Sequence, residues 1–159
     1  MNAEKGFTHV DDQGQVKMVD VGGKQPTQRT AKAQAIVHLP QNVVDELMQR
    51  DFQVAKGSVI QTAVLAGIMA AKKTGDLIPL CHPLGLDAVD VQIQLQGNQL
   101  VITGKAALFA KTGVEMEALT AVSVAALTVY DMCKALSHDI VIGEIKLMEK
   151  TGGKHDFKR

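Results

Sequence analysis

The chain has 159 residues, 46% of them apolar and 21% charged, and its formal net charge is zero. That fits one soluble domain with a real core and argues against broad nucleic-acid binding, which needs a basic excess. Aromatic residues make up 3% with no tryptophan, so an aromatic platform for stacked bases is not expected.

The opening stretch MNAEKGFTHVDD is polar and carries no signal-peptide apolar region, and Gly14, Gly22, Gly23 and Pro26 punctuate the residues after it. Residues 1–29 therefore read as an irregular arm, and 30–159 as one α+β domain. From Ala31 to Leu39 apolar residues alternate with Lys32, Gln34 and His38, the period of a half-buried strand that Pro40 ends. QNVVDELMQRD suits a short helix starting at Pro40 or Gln41. Lys56-Gly57-Ser58 opens the next helix with Ser58 as its N-cap, and Gly75 is expected to stop it. DLIPLCHPLG holds two prolines and reads as a loop.

Val89, Val91, Ile93 and Leu95 alternate with Asp90, Gln92, Gln94 and Gln96 in the clearest strand of the chain. Gly97-Asn98 is a hairpin turn, and Leu100 to Phe109 returns as the partner strand. A long helix is expected from Val114 to Leu136 and a last strand from Ile140 to Glu149, before the basic tail KTGGKHDFKR. The order β-α-β-β-α-β predicts a ferredoxin-like α+β fold, an antiparallel sheet with helices on one face. An apolar uncovered face would need a cover, which points to oligomerisation.

Within the long helix, thirteen uncharged residues from Ala118 to Tyr130 separate Lys111, Glu115 and Glu117 from Asp131 and Lys134. A deeply packed helix does not keep charges at its ends without partners, because an unpaired buried charge is expensive. Asp131 and Lys134 are neighbours on one helix face, which suits either a salt bridge or a proton-transfer pair whose lysine pKa desolvation would lower. Glu115 and Glu117 suit the helix macrodipole, or recognition of guanidine-like N–H donors. His82, in the rigid Cys81-His82-Pro83 loop, suits a general acid/base or a phosphate contact, since no zinc pattern surrounds it. Lys56 suits phosphate binding or proton transfer, or simple solvation. Lys-Thr-Gly recurs at 73–75, 111–113 and 150–152, as turn chemistry or as anion-binding backbone with lysine. No nucleophile elbow is present, and Cys81 and Cys133 do not make a disulfide framework. No apolar run reaches the ~18 residues of a membrane span, so a cytoplasmic protein with reduced thiols is expected.

MVDVGGK, KGSVIQTAVLAGIMAAKKTGDLIPLCHPL, KTGVEMEALTAVSVAALTVYDMCKA and KTGGK, in that order, resemble the cyclic pyranopterin monophosphate synthase family, molybdenum cofactor biosynthesis protein C. The resemblance runs from about Thr8 to Lys158. It implies a lyase of molybdenum cofactor biosynthesis that converts 3′,8-cyclo-7,8-dihydroguanosine 5′-triphosphate to cyclic pyranopterin monophosphate and diphosphate. It also implies a homohexamer, a trimer of dimers with active sites at subunit interfaces; no cofactor is expected, and Mg²⁺ assistance to the triphosphate is possible but not indicated by the sequence. By motif, Asp131, Lys134 and Lys56 match catalytic positions. Lys24, Arg29, His82, Glu115, Met116, Glu117 and Lys154 match substrate-binding positions. Val64 stands where an arginine is common, and Gly22 and His155 where serine is common. The alternative is a non-catalytic nucleotide- or pterin-binding module.

Overall fold

A computed structural model describes residues 13–159. The first twelve residues of the expected arm, including Thr8 where the resemblance begins, lie outside the described residues. From residue 13 to Pro26 the chain is irregular apart from one isolated bridge residue. Strand β1, Thr27–His38, then begins four residues ahead of the apolar alternation. Ala31, Ala33, Ala35 and Val37 turn inward and are almost fully buried, while Lys32 and Gln34 face the other way.

Helix α1, Gln41–Gln49, follows Pro40. A small hairpin of β2, Gln53–Val54, and β3, Gly57–Ser58, carries Ala55 and Lys56 at its tip. Helix α2, Val59–Ala71, starts where expected, with Ser58 Oγ accepting from the Gln61 amide at 3.3 Å. It ends at Lys72 rather than at Gly75, which sits inside the four-residue helix α3, Thr74–Leu77. Strands β4, Ala88–Gln96, and β5, Gln99–Ala110, pair through the Gly97-Asn98 turn. Helix α4, Glu115–Cys133, is shorter at its C-terminal end than the pattern suggested. Strand β6, Val141–Thr151, is followed by β7, Phe157–Lys158, which the sequence did not reveal.

The five-stranded sheet has the order β4-β5-β1-β6-β7, antiparallel throughout. Without the short β7, this is the ferredoxin-like arrangement that the β-α-β-β-α-β order predicts. Helices α2 and α4 pack together, and α4 lies on β1, β5 and β6. Ala118, Ala121, Val122, Ala125, Ala126 and Val129 of α4 are fully buried. By length and composition α4 is apolar enough to cross a membrane, and here it is the central core helix. Its small side chains let it approach both the sheet and α2, and a charge placed among them would lose its hydration without a partner.

The outer face of the sheet is polar. Lys32 and Lys105 are directly paired, with Glu149 beside Lys32 and Asp90 beside Lys105. Around this charged centre the same face of β5 also carries Phe109, which is 62% exposed. The exposed large apolar side chains of the long helices are Leu65 and Met69 on α2 and Met116 and Leu127 on α4. Val64, at the position where arginine is common, packs partly buried against the core.

Candidate active site

The two ends of α4 carry two separate arrangements. At its N-terminal end a cleft of about 560 Å³ is lined by five segments of chain. All seven residues matched to substrate binding line it: Lys24, Arg29, His82, Glu115, Met116, Glu117 and Lys154. Lys111 and Lys150 join Lys24, Arg29 and Lys154, giving five side-chain cations against the two carboxylates Glu115 and Glu117. A cleft with that excess concentrates anions even though the whole chain is neutral.

Each segment is held in place. The arm is pinned twice, by His82 Nε2 donating to the Val19 carbonyl at 2.8 Å and Lys111 Nζ donating to the Gly22 carbonyl at 2.7 Å. The Asp20 side chain accepts from the Gly22 amide at 2.8 Å, closing a tight turn just before Lys24. Lys150 on β6 donates to Glu115 Oε1 at 2.8 Å, joining the end of the sheet to the start of the helix.

Two of the three Lys-Thr-Gly copies, at 111–113 and 150–152, border the cleft, the first packs behind the loop that carries His82, and in each the glycine allows a close approach. A Cβ on Gly75 would stand 3.0 Å from the Pro83 Cα, against the loop that carries His82. One on Gly113 would stand 1.9 Å from Glu115 Oε2. One on Gly152, whose φ is +80°, would stand 1.8 Å from the Gln28 carbonyl oxygen, next to Arg29. The glycines thus serve close approach, joined at Gly152 alone by a positive φ, while two of the lysines, Lys111 and Lys150, line the cleft. Sequence reasoning missed these two as site residues, and the repeat was the signal that held them.

The two carboxylates differ. Burial pushes Glu115 up, but the Lys150 hydrogen bond, its own backbone amide and the charges of Lys150 and Arg29 outweigh it and hold the group below its ordinary value. Glu117 is only 3% exposed, and burial, assisted by the Glu115 charge, holds it above its ordinary value against its own amide. Adjacent carboxylates whose environments separate their pKa values suit different proton roles. Cys81 is held protonated by burial and by Glu117, and burial pushes Cys133 up to about 11, so neither thiol is an activated nucleophile.

At the other end of α4, Asp131 bridges two lysines. Its Oδ1 accepts from Lys134 at 2.8 Å and its Oδ2 from Lys56 at 2.7 Å. Lys56 also donates to the Asp131 carbonyl at 3.3 Å, capping the helix C-terminus, where a cation is favourable. The β2–β3 hairpin presents Lys56, after Asp51 and Phe52 turn the chain with φ values of 50° and 57°. All three side chains are about half exposed. The Lys134 and Lys56 bonds bring Asp131 down to about 2, and the Asp131 bond raises Lys134. The desolvation that would lower the lysine is therefore corrected: α4 stops being buried at Cys133, and the carboxylate dominates. Among the described residues no three His, Cys, Asp or Glu side chains gather to hold a metal ion.

The two ends are about 24 Å apart, sixteen residues at ~1.5 Å each. The fold brings the seven residues matched to substrate binding together and the three catalytic candidates together, and it keeps the two sets apart within one chain.

A ferredoxin-like α+β domain with a cationic cleft and a carboxylate between two lysines defines a protein suited to a small polyanion and to proton transfer. The chain belongs to the MoaC family, whose model matches residues 18–153. It is 48% identical over 154 residues to a cyclic pyranopterin monophosphate synthase of Peptoclostridium acidaminophilum, covering 96% of this chain and 97% of that protein. It is 54% identical over 148 residues to a protein of that name from Novosphingobium aromaticivorans, covering 93% of each. It is also 53% identical over 155 residues, 96% of this chain, to molybdenum cofactor biosynthesis protein 1 of Drosophila melanogaster, of whose length it spans 27%.

Proposed function

We propose that this protein is a lyase of molybdenum cofactor biosynthesis. It converts 3′,8-cyclo-7,8-dihydroguanosine 5′-triphosphate to cyclic pyranopterin monophosphate and diphosphate. The observation that carries this is the convergence of Lys24, Arg29, His82, Glu115, Met116, Glu117 and Lys154, from five segments, on one cationic cleft. Near-full-length relatives bearing the synthase name support it.

The purine-derived ring presents N–H donors to Glu115 and Glu117, while Lys24, Arg29 and Lys154 take the triphosphate. Ring opening and rebuilding require proton transfers. Closure of the cyclic phosphate follows attack on the α-phosphorus, and diphosphate leaves. Lysine ammonium groups neutralise the charge that develops on it. The reading requires no cofactor, because side-chain cations supply this charge.

Asp131 and Lys134 are the proton-transfer pair, with Lys56 beside them. The signs of their shifts set the starting state. The Asp131 pairing is present above the ordinary carboxylate value and is lost as pH falls through about 2. The Lys134 pairing is complete below the ordinary lysine value and is lost as pH rises through the raised folded value. Near neutrality Asp131 is therefore a carboxylate and Lys134 an ammonium.

The pair and the cleft are too far apart to serve one small ligand from one chain. A second copy supplies the missing half, in a homohexamer built as a trimer of dimers with active sites at subunit interfaces. Leu65, Met69 and Leu127, each half or more exposed, offer apolar surface for such contacts. The reading places the protein in the cytoplasm, where Cys81 and Cys133 stay reduced.

The test is turnover of the cyclic dihydroguanosine triphosphate, followed by diphosphate release. Wild-type protein is expected to release diphosphate, and Lys134→Ala to keep its oligomeric mass and lose turnover. Ligand binding without diphosphate release would favour a binding module, and undiminished turnover by Lys134→Ala would remove the catalytic assignment.

A further inference from the structure

Two loops that reach the cleft share a sequence and a way of being fastened. Gly22-Gly23-Lys24 lies in the arm, and Gly152-Gly153-Lys154 follows β6. Lys24 and Lys154 are both exposed, and both line the cleft. In each loop the first glycine is held through both of its backbone groups. The Gly22 amide donates to Asp20 Oδ1 at 2.8 Å, and the Gly22 carbonyl accepts from Lys111 Nζ at 2.7 Å. The Gly152 amide donates to Asp156 Oδ1 at 3.0 Å, and the Gly152 carbonyl accepts from Thr27 Oγ1 at 2.8 Å. Asp20 precedes its loop and Asp156 follows its own, so the same fastening is reached from opposite sides.

A glycine pair calls for such fastening, because glycine leaves the chain more backbone freedom than any other residue. A Cβ on Gly23 would meet nothing within 4 Å among the described residues, so packing does not restrict that position. One on Gly153 would stand 3.1 Å from Arg29 Nη1, the far end of a flexible side chain. Bonds to the first glycine therefore do most of the fixing, with a 3.1 Å turn bond from the Lys24 amide to the Val21 carbonyl in the first loop. A lysine already placed loses less freedom when a ligand meets it. Charge alone would make an aspartate near a cleft for a polyanion unfavourable, and its bond to the loop amide is what offsets that.

We propose that Asp20 and Asp156 are positioning residues of the cleft, each fastening the first glycine of a Gly-Gly-Lys loop and so holding Lys24 or Lys154 in place to meet the substrate. This rests on the reading of the cleft as the substrate site. Neither carboxylate touches substrate; each acts through the lysine of its loop.

The experiment uses the full chain, with Asp20 and Asp156 each replaced by alanine and by asparagine, and with Asp156→Ala combined with Lys154→Ala. KM and kcat for the cyclic dihydroguanosine triphosphate and the thermal midpoint are measured. Asp20→Ala and Asp156→Ala are each expected to raise KM about fivefold, with kcat little changed and the midpoint within about 2 °C of wild type. That rise runs against the loss of a negative charge, which by itself would lower KM. Asparagine keeps the accepting oxygen without the charge, so Asp20→Asn and Asp156→Asn are expected to show the wild-type KM or a lower one. Lys154→Ala is expected to raise KM, and Asp156→Ala added to it to raise KM no further. A wild-type KM in an alanine variant, or an asparagine variant as impaired as its alanine counterpart, would overturn the role of that aspartate. An additive effect in the double variant would overturn the role of Asp156. A larger fall in midpoint in an alanine variant would overturn the role too, by showing that the bond serves the fold. A wild-type KM in both Lys24→Ala and Lys154→Ala, or a wild type without turnover, would overturn the cleft reading and this assignment together.

Discussion

A methyl group at Gly113 would collide with the carboxylate of Glu115. Its position lies 1.9 Å from Oε2, 2.8 Å from Cδ and 2.9 Å from Oε1. The carboxylate must retreat by more than about 1 Å to reach a tolerable contact. That breaks its 2.8 Å bond to Lys150. Both partners are about one-third exposed or less, so solvent replaces part of what is lost and the fold gives up about 1 kcal/mol. In a domain of this size that is a fall of about 2–4 °C in Tm. Function should suffer far more. A carboxylate no longer placed against the ring donors forfeits a charge-assisted bond of roughly 1.5–3 kcal/mol, or about ten- to a hundredfold in kcat/KM. Gly113→Ala is therefore expected to be a nearly stable, poorly active variant, checked by thermal denaturation beside steady-state diphosphate release. Wild-type kcat/KM in Gly113→Ala would refute the placement of Glu115 against substrate.

Gly152→Ala should behave in the opposite proportion. Its Cβ meets backbone, the Gln28 carbonyl at 1.8 Å, and its φ of +80° is unfavourable for any side chain. Separation of β6 from β1 also threatens the 2.8 Å bond from Thr27 Oγ1 to the Gly152 carbonyl. A loss of about 3 kcal/mol or more, roughly 6–12 °C in Tm, is expected, and a shift below about 2 °C would contradict the close approach. Glu117→Gln should raise Tm by about 2–4 °C near pH 8, since it removes a buried carboxylate, while turnover falls. Because the folded pKa of Glu117 is raised, wild type regains stability as pH falls through that value, so the advantage of the variant should shrink toward pH 5. A Tm difference independent of pH would show that Glu117 carries no such penalty.

Period and turn chemistry were enough to read the main strands. Ala31 to Val37 alternates because one face meets α4, and Gly97-Asn98 turns β4 into β5. The shorter pieces were hidden for a physical reason: two-residue strands such as Gln53–Val54 and Phe157–Lys158 are too brief to show a period. Gly75 misled because its role is tertiary. It admits the His82-Pro83 backbone inside a short helix, and α2 had already ended. Lys134 misled for a related reason, since apolar sequence before it did not mean burial at it. Lys150 was visible only as part of a repeated tripeptide, and Lys111 also as a charge before the uncharged run of α4. Their convergence on one cleft comes from the β1–β6 pairing and the Lys150–Glu115 bond, which no local pattern encodes.

The central claim is that the cleft of one chain works with the Asp131–Lys134 pair of another. Co-expression of differently tagged Glu115→Gln and Lys134→Ala chains, followed by isolation of the mixed oligomer, tests it most directly. Lys134→Ala alone is expected to be inactive, and Glu115→Gln alone to keep no more than about a tenth of wild-type activity. In a randomly paired two-fold assembly, one shared site in each mixed pair carries neither substitution, and activity should recover to about a quarter of wild type. A mixed oligomer no more active than its separate parents would contradict the claim.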